Sequence, residues 1–200
     1  IMKSNTNKES KTKISRRTAL FSGAALSTIA FMPRHVLGGE GNTPPSDLMN
    51  IAMIGTGGRG LQHTRTITRQ DDCRIVAICD VTEHNDYSRF YYGGEAGRGP
   101  AKKMVDFRYE SKGLPKPKEY LDYRKMLEKE KDLDACVVST PDHTHAVIAI
   151  DSMNLGKHVY CEKPLARTVY ECRKIAECAK KNGVVTQLGN QGHSGEGLRA

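Results

Sequence analysis

Ile51-Ala52-Met53-Ile54-Gly55-Thr56-Gly57-Gly58-Arg59-Gly60 decides how this chain folds, because an apolar run passes directly into Gly55-x-Gly57-x-x-Gly60. A parallel strand covered on both faces reads as a nearly continuous apolar run, as Met49 to Ile54 does. The glycines then have separate tasks: a tight turn at Gly55, close approach of backbone to a pyrophosphate at Gly57, and close packing of helix on strand at Gly60. A helix is expected over about Arg59 to Arg69, its free N–H groups and positive dipole end aimed at phosphates. Thr56, Gly58 and Arg59 complete this candidate phosphate-binding turn.

Spaced glycines also arise by chance in glycine-rich loops, so the next strand matters. Arg74 to Val81 is a second apolar run, and it delivers Asp80 about twenty residues past the last glycine, where a dinucleotide site needs an acid for its ribose hydroxyls. The plainer reading is a strand-terminal Asp that caps the next turn. A carboxylate here repels a 2′-phosphate, and no Arg or Lys immediately follows it, so NAD is favoured over NADP.

The remaining strands end in chemistry-bearing residues. Leu133 to Thr140 leads into Thr140-Pro141-Asp142-His143-Thr144-His145, and ligands of open α/β sheets bind at such carboxyl ends. The two histidines lack a third ligand with metal-like spacing, so no metal is expected. His145 is placed at the start of a helix running to Leu155, with Gly156 as its C′ residue. Lys157 to Cys161 is the next strand and runs into Glu162-Lys163-Pro164-Leu165. Lys163 could hold a substrate hydroxyl and assist proton removal as hydride leaves; the alternative is a solvated surface lysine. Thr168-x-x-Glu171 forms a capping box for a helix ended by Gly183. A last strand, Val184 to Leu188, brings Asn190 to the same edge.

Between Thr82 and Pro117 the pattern is weak. A helix is expected over Ala101 to Glu110 after the glycines of 93–99. Tyr87, Phe90, Tyr91 and Tyr92 crowd the front of this stretch, and loop packing is favoured there over binding of bases or sugars. Tyr120 to Lys129 suits a short amphipathic helix. None of the six cysteines forms a Cys-x-x-Cys pair, so all are read as structural.

The formal charge of +8 belongs mostly to the leader. Residues 1–38 hold seven basic side chains (Lys3, Lys8, Lys11, Lys13, Arg16, Arg17, Arg34) against Glu9, which leaves +2 for the rest and removes the main support for a nucleic-acid partner. Ser15-Arg16-Arg17-Thr18-Ala19-Leu20 followed by a modest apolar run resembles a twin-arginine export signal, with Ala19 where Phe is usual. The run is too short and polar for a membrane span, so no membrane attachment is expected once the signal is removed. Residues 39–48 read as a linker and 49–200 as one dinucleotide-binding domain.

Taken together, Gly55-x-Gly57-x-x-Gly60, Asp80, Thr140-Pro141-Asp142-x-x-His145, Glu162-Lys163-Pro164-Leu165 and Asn190 resemble the amino-terminal domain of the glucose-fructose oxidoreductase, inositol dehydrogenase and rhizopine catabolism family, Gfo/Idh/MocA. The resemblance covers about residues 49–195. It implies an α/β Rossmann fold, a doubly wound parallel sheet with flanking helices, and places Lys163 between nicotinamide and substrate. Asp142 departs from the more usual Asn. The family's α+β substrate domain would follow residue 200, and homo-oligomers would form through it. The implied activity is that of an exported, periplasmic or extracellular NAD-dependent oxidoreductase acting on a carbohydrate or polyol, with a tightly bound cofactor recycled in place. The alternatives are a redox-neutral NAD-dependent glycoside hydrolase and a non-catalytic dinucleotide-binding protein. The intact Glu162-Lys163-Pro164 leans towards the oxidoreductase.

Overall fold

The computed structural model describes residues 44, 46–89, 94–195 and 197. The leader, with its twin-arginine stretch, most of the linker, and Phe90, Tyr91 and Tyr92 lie outside the described residues. The described residues form one compact unit.

In chain order the elements are β1 (Met49–Ile54), α1 (Gly58–Ile67), β2 (Cys73–Cys79), β3 (Asn85–Asp86), β4 (Glu95–Ala96), α2 (Arg98–Lys112), β5 (Lys118–Tyr120), α3 (Tyr123–Lys129), β6 (Ala135–Val138), α4 (Asp142–Asn154), β7 (His158–Glu162), α5 (Val169–Asn182) and β8 (Thr186–Gly189), followed by a 3-10 turn (Gln191–Ser194). The main sheet runs β5-β2-β1-β6-β7-β8, and every pairing in it is parallel. Strand order reverses between β1 and β6, where Ile54 pairs with Val138. A doubly wound Rossmann sheet opens its ligand crevice at such a reversal.

Both faces of the sheet are covered along β1, β2, β6 and β7, which is why these strands lack an apolar-polar alternation. Ala52, Ile54, Cys136, Val138, Val159 and Cys161 pack on one side with Ala149, Met153 and Ile175 of the helices. Ile51, Met53, Ile75 and Ile78 pack on the other with Ala101, Val105 and Tyr109 of α2. Ile75 and Ile78 can share a face because the β1–β2 register shifts between Ile51 and Ala52; a bulge of this kind reverses side-chain alternation.

Several expectations are corrected. The α2 helix starts at Arg98, three residues before Ala101, because Gly97 takes φ +112° and Pro100 sits in the first turn, where a missing N–H leaves no bond unmade. Tyr120 belongs to a strand: β5 occupies Lys118–Tyr120, and Asp122 caps a shorter α3 by accepting the Arg124 N–H at 2.9 Å. The α4 helix begins at Asp142, a turn earlier than His145. The hairpin of β3 and β4 fills part of the weakly patterned stretch. The Thr168–Glu171 capping box is present, and Gly183 (φ +63°) and Gly156 (φ +73°) close their helices in the left-handed conformation. All six cysteines are free thiols.

Candidate functional site

A cleft of about 870 Å³ lies over the carboxyl ends of β2, β1, β6 and β7, within the range of roughly 300–1,000 Å³ usual for small-molecule sites. Its walls include Gly55, Gly57, Gly58, Arg59, Asp80, Thr140, Pro141, Asp142, His145, Glu162 and Lys163. Thr56 and Gly60 stand behind the turn. Asn190 does not join the cleft: it is exposed at the start of the 3-10 turn beyond β8, because β8 lies at the sheet edge, away from the reversal.

The glycine turn is steric in origin. Gly55 has φ +83°, and a Cβ there would lie 2.7 Å from the Ser139 carbonyl and the Thr140 nitrogen. A Cβ on Gly60 would lie 1.9 Å from the Gly55 carbonyl oxygen and 3.3 Å from the Ser139 Cβ. Gly60 therefore lets helix, turn and the β6 end close on one another. Gly57 differs: its nearest neighbour would be the Tyr87 hydroxyl at 3.5 Å, so its backbone faces the cleft. No side chain caps α1. An open Gly57 beside an uncapped helix start suits an anion, and with Asp80 on the same wall the residues present fit a dinucleotide.

Asp80 takes the capping role and keeps room for the other. Its Oδ2 accepts the Thr56 N–H at 2.6 Å and the Thr56 hydroxyl at 3.2 Å, while Oδ1 accepts the Thr82 N–H at 2.9 Å. A carboxylate offers about four lone-pair sites, so accepting sites remain for ribose hydroxyls.

Glu162 is the buried charge of the site, with 4% exposure. Its Oε1 accepts from His63 Nε2 at 2.6 Å and from Arg59 Nε at 3.3 Å, and its Oε2 accepts the Lys163 N–H at 3.2 Å. Gly189 of β8 permits this approach: a Cβ there would lie 2.7 Å from Glu162 Oε1 and 2.8 Å from the Tyr160 hydroxyl. Burial pushes the Glu162 carboxyl up, but the bond and charge of His63 and the bonds from Arg59 and the Lys163 N–H outweigh it and hold it below its ordinary value. For His63 burial dominates and lowers it, despite the bond it gives to Glu162 and the charge of that carboxylate. The His63 ring also meets Tyr160 edge-on, with centroids 5.1 Å apart.

On the other flank of Lys163, the His145 ring is buried, with Nε2 2.7 Å from the Thr140 carbonyl oxygen and Nδ1 2.7 Å from that of Pro164. It ties the loop after β6 to the loop after β7. Lys163 itself is exposed on the cleft wall. Among the described residues no group of three or more His, Cys, Asp or Glu could hold a metal ion, and no helix is long and apolar enough to cross a membrane.

Sequence reasoning missed several wall residues. Tyr87 reaches the cleft from the hairpin, and Val81 and Leu121, both largely exposed, line its outer end. Aliphatic residues one or two positions past a strand end were the available signal. His63 carried one as well, since it lies four residues after Arg59 and so on the same helical face.

The family model described as an oxidoreductase family with an NAD-binding Rossmann fold, GFO_IDH_MocA, matches residues 49–190. A glycosyl hydrolase family 109 protein of Shewanella pealeana is 32% identical over 142 residues, covering 69% of this chain and 27% of that protein. An alpha-N-acetylgalactosaminidase of Shewanella oneidensis is 32% identical over 156 residues, covering 74% and 30% respectively. The chain thus spans 27% to 30% of these relatives' lengths. Among solved structures, myo-inositol 2-dehydrogenase of Lactobacillus plantarum superposes with a TM-score of 0.58 at 23% identity, over 76% of this chain and 39% of that one. Scyllo-inositol dehydrogenase of Lactobacillus casei, solved with NAD(H) and scyllo-inositol, gives 0.58 at 19% identity with the same coverage. At these identities the likeness is one of fold.

Proposed function

This chain belongs to the Gfo/Idh/MocA oxidoreductase family, of which it carries the NAD-binding Rossmann domain, and from that premise we propose that the whole protein moves hydride between a carbohydrate hydroxyl-bearing carbon and NAD. The observation that carries the reading is Lys163, exposed on the wall of the same cleft as the Gly57 turn and Asp80. NAD, when bound, supplies the hydride acceptor. The open backbone at Gly57 and the start of α1 would hold its pyrophosphate, and Asp80 its ribose hydroxyls. The Lys163 amine would take the substrate hydroxyl proton as hydride departs. Glu162 and His145 keep the two loops flanking Lys163 in place.

Whether the hydride is released or returned divides two outcomes. The relatives that are 32% identical carry glycosidase names, and they favour return of the hydride within one cycle, as redox-neutral hydrolysis of an amino-sugar glycoside. The sequence of Glu162-Lys163-Pro164 leans the other way, towards a net carbohydrate or polyol dehydrogenase. Export by the twin-arginine route is part of the proposal and rests on Ser15-Arg16-Arg17; a resident cofactor suits it, because free dinucleotide is scarce outside the cytoplasm. Association of copies through the region beyond this domain is proposed on the family resemblance alone.

The deciding experiment purifies the full-length protein without added cofactor and identifies the dinucleotide released on denaturation. The protein is then assayed with an aryl α-N-acetylgalactosaminide and with free sugars and inositols. Aryl alcohol release without NADH accumulation establishes the glycosidase, and NADH accumulation on a free carbohydrate establishes the dehydrogenase. Bound NAD with neither activity, unchanged by Lys163→Ala, overturns the catalytic proposal.

A further inference from the structure

Resting on the dinucleotide reading above, we infer that Arg59 and His63 are positioning residues that, through Glu162, make the placement of Lys163 depend on what occupies the glycine turn. Arg59 stands in the first turn of α1 and lines the cleft beside Gly57 and Gly58. Its Nε is given to Glu162, and one terminal nitrogen is given to Gln62. A guanidinium has five N–H donors in a planar fork, so this side chain retains donors for a pyrophosphate while still holding Glu162. Glu162 then divides its two oxygens. Oε1 receives Arg59 and His63 from α1, and Oε2 receives the backbone N–H of Lys163 itself.

The carboxylate is therefore a direct physical link between the first turn of α1 and the backbone of the lysine. It is nearly inaccessible to solvent, with Gly189 and Tyr160 closed over it. A buried carboxylate that loses one partner keeps its full desolvation cost, so it follows its donors rather than turning out to water. His63 supplies a second donor that holds Oε1 when phosphate draws on Arg59. Any shift of the Arg59 fork towards an anion is felt at Oε1 and is transmitted rigidly to Oε2.

The test uses the full-length protein and ADP-ribose, which carries the pyrophosphate but lacks the nicotinamide that would shield Lys163 directly. Calorimetry gives its affinity, and mass spectrometry gives the rate of reductive methylation at Lys163. In the wild type, saturating ADP-ribose is expected to change that rate about fivefold, the scale of a modest coupling between sites. In Glu162→Gln, ADP-ribose still binds but the rate no longer responds. His63→Gln, whose amide can donate to Glu162, keeps the response, whereas His63→Leu diminishes it. A response equal in wild type and Glu162→Gln, or no response in a wild type that binds ADP-ribose, overturns the inference and leaves the dinucleotide site standing. If neither ADP-ribose nor NAD binds, the dinucleotide reading falls and takes the inference with it.

Discussion

Asp80 Oδ2 accepts the Thr56 N–H at 2.6 Å, so the carboxylate that faces the cleft also closes the glycine turn. Asp80→Asn leaves an amide that cannot accept at both ends. NAD affinity is expected to fall about tenfold, roughly one hydrogen bond to a charged group. The gap between NAD and NADP should narrow, because the repulsion of a 2′-phosphate is removed. Calorimetric titration with both dinucleotides checks this.

Gly57 and Gly60 should separate binding from folding. A Cβ at Gly60 would lie 1.9 Å from the Gly55 carbonyl oxygen, so Gly60→Ala is expected to lose about 3 kcal/mol or more of stability. Gly57 has φ −66°, open to any residue, and space around it. Gly57→Ala should change stability by less than about 1 kcal/mol while weakening NAD binding several-fold. Urea unfolding and NAD titration on both variants decide it.

Acid should weaken the fold around Glu162. Burial lowers His63 from its ordinary value of 6.5, so the unfolded chain binds the proton more readily, and stability falls as pH drops below about 6.5. Glu162 is also held below its ordinary 4.5, and its contribution is lost at lower pH, as it protonates in the folded state. Urea midpoints measured from neutral to mildly acidic pH should therefore decline. In His63→Gln the upper part of that decline should vanish.

The thiols in the sheet should be silent. Burial pushes Cys79 and Cys161 up to about 12 and Cys136 up to about 11, far from the thiolate form that reacts. A chromogenic disulfide reagent at neutral pH is expected to leave these three untouched in the native protein. All six thiols should react after denaturation.

The Tyr109 hydroxyl accepts the Ile75 N–H at 2.5 Å in the interior, and burial pushes that phenol up to about 12. Tyr109→Phe leaves a buried donor without its partner and should destabilise by about 1–3 kcal/mol. The change lies on the face of the sheet opposite α4 and α5. NAD affinity should stay constant while the urea midpoint falls.

The sequence was most legible where local chemistry and tertiary need coincide. The apolar β1, the glycine turn, Asp80, the Thr168–Glu171 box and the glycines after α4 and α5 all announce themselves within a few residues. Elements whose stability comes from elsewhere did not. The strand β5 is only Lys118-Glu119-Tyr120, at the sheet edge, and carries no apolar run. The hairpin strands are two residues each. Asn190 stands outside the cleft lining, and a polar residue past a strand end says nothing about how far that strand lies from the reversal. The Arg59–Glu162 contact joins residues 103 positions apart, a distance no local pattern spans.

The central strand is also the one that waits longest. Ile51 of β1 pairs on one side with Ile75 but on the other with Ala135. During synthesis the apolar β1 therefore stands with one edge unmatched until more than eighty further residues have been made, because Ala135 follows Ile51 by 84 positions. Closing so long a loop is entropically slow, and an exposed apolar strand edge recruits other chains. Nascent chains halted before β6 should aggregate or hold a chaperone, and those extended past Val138 should release it.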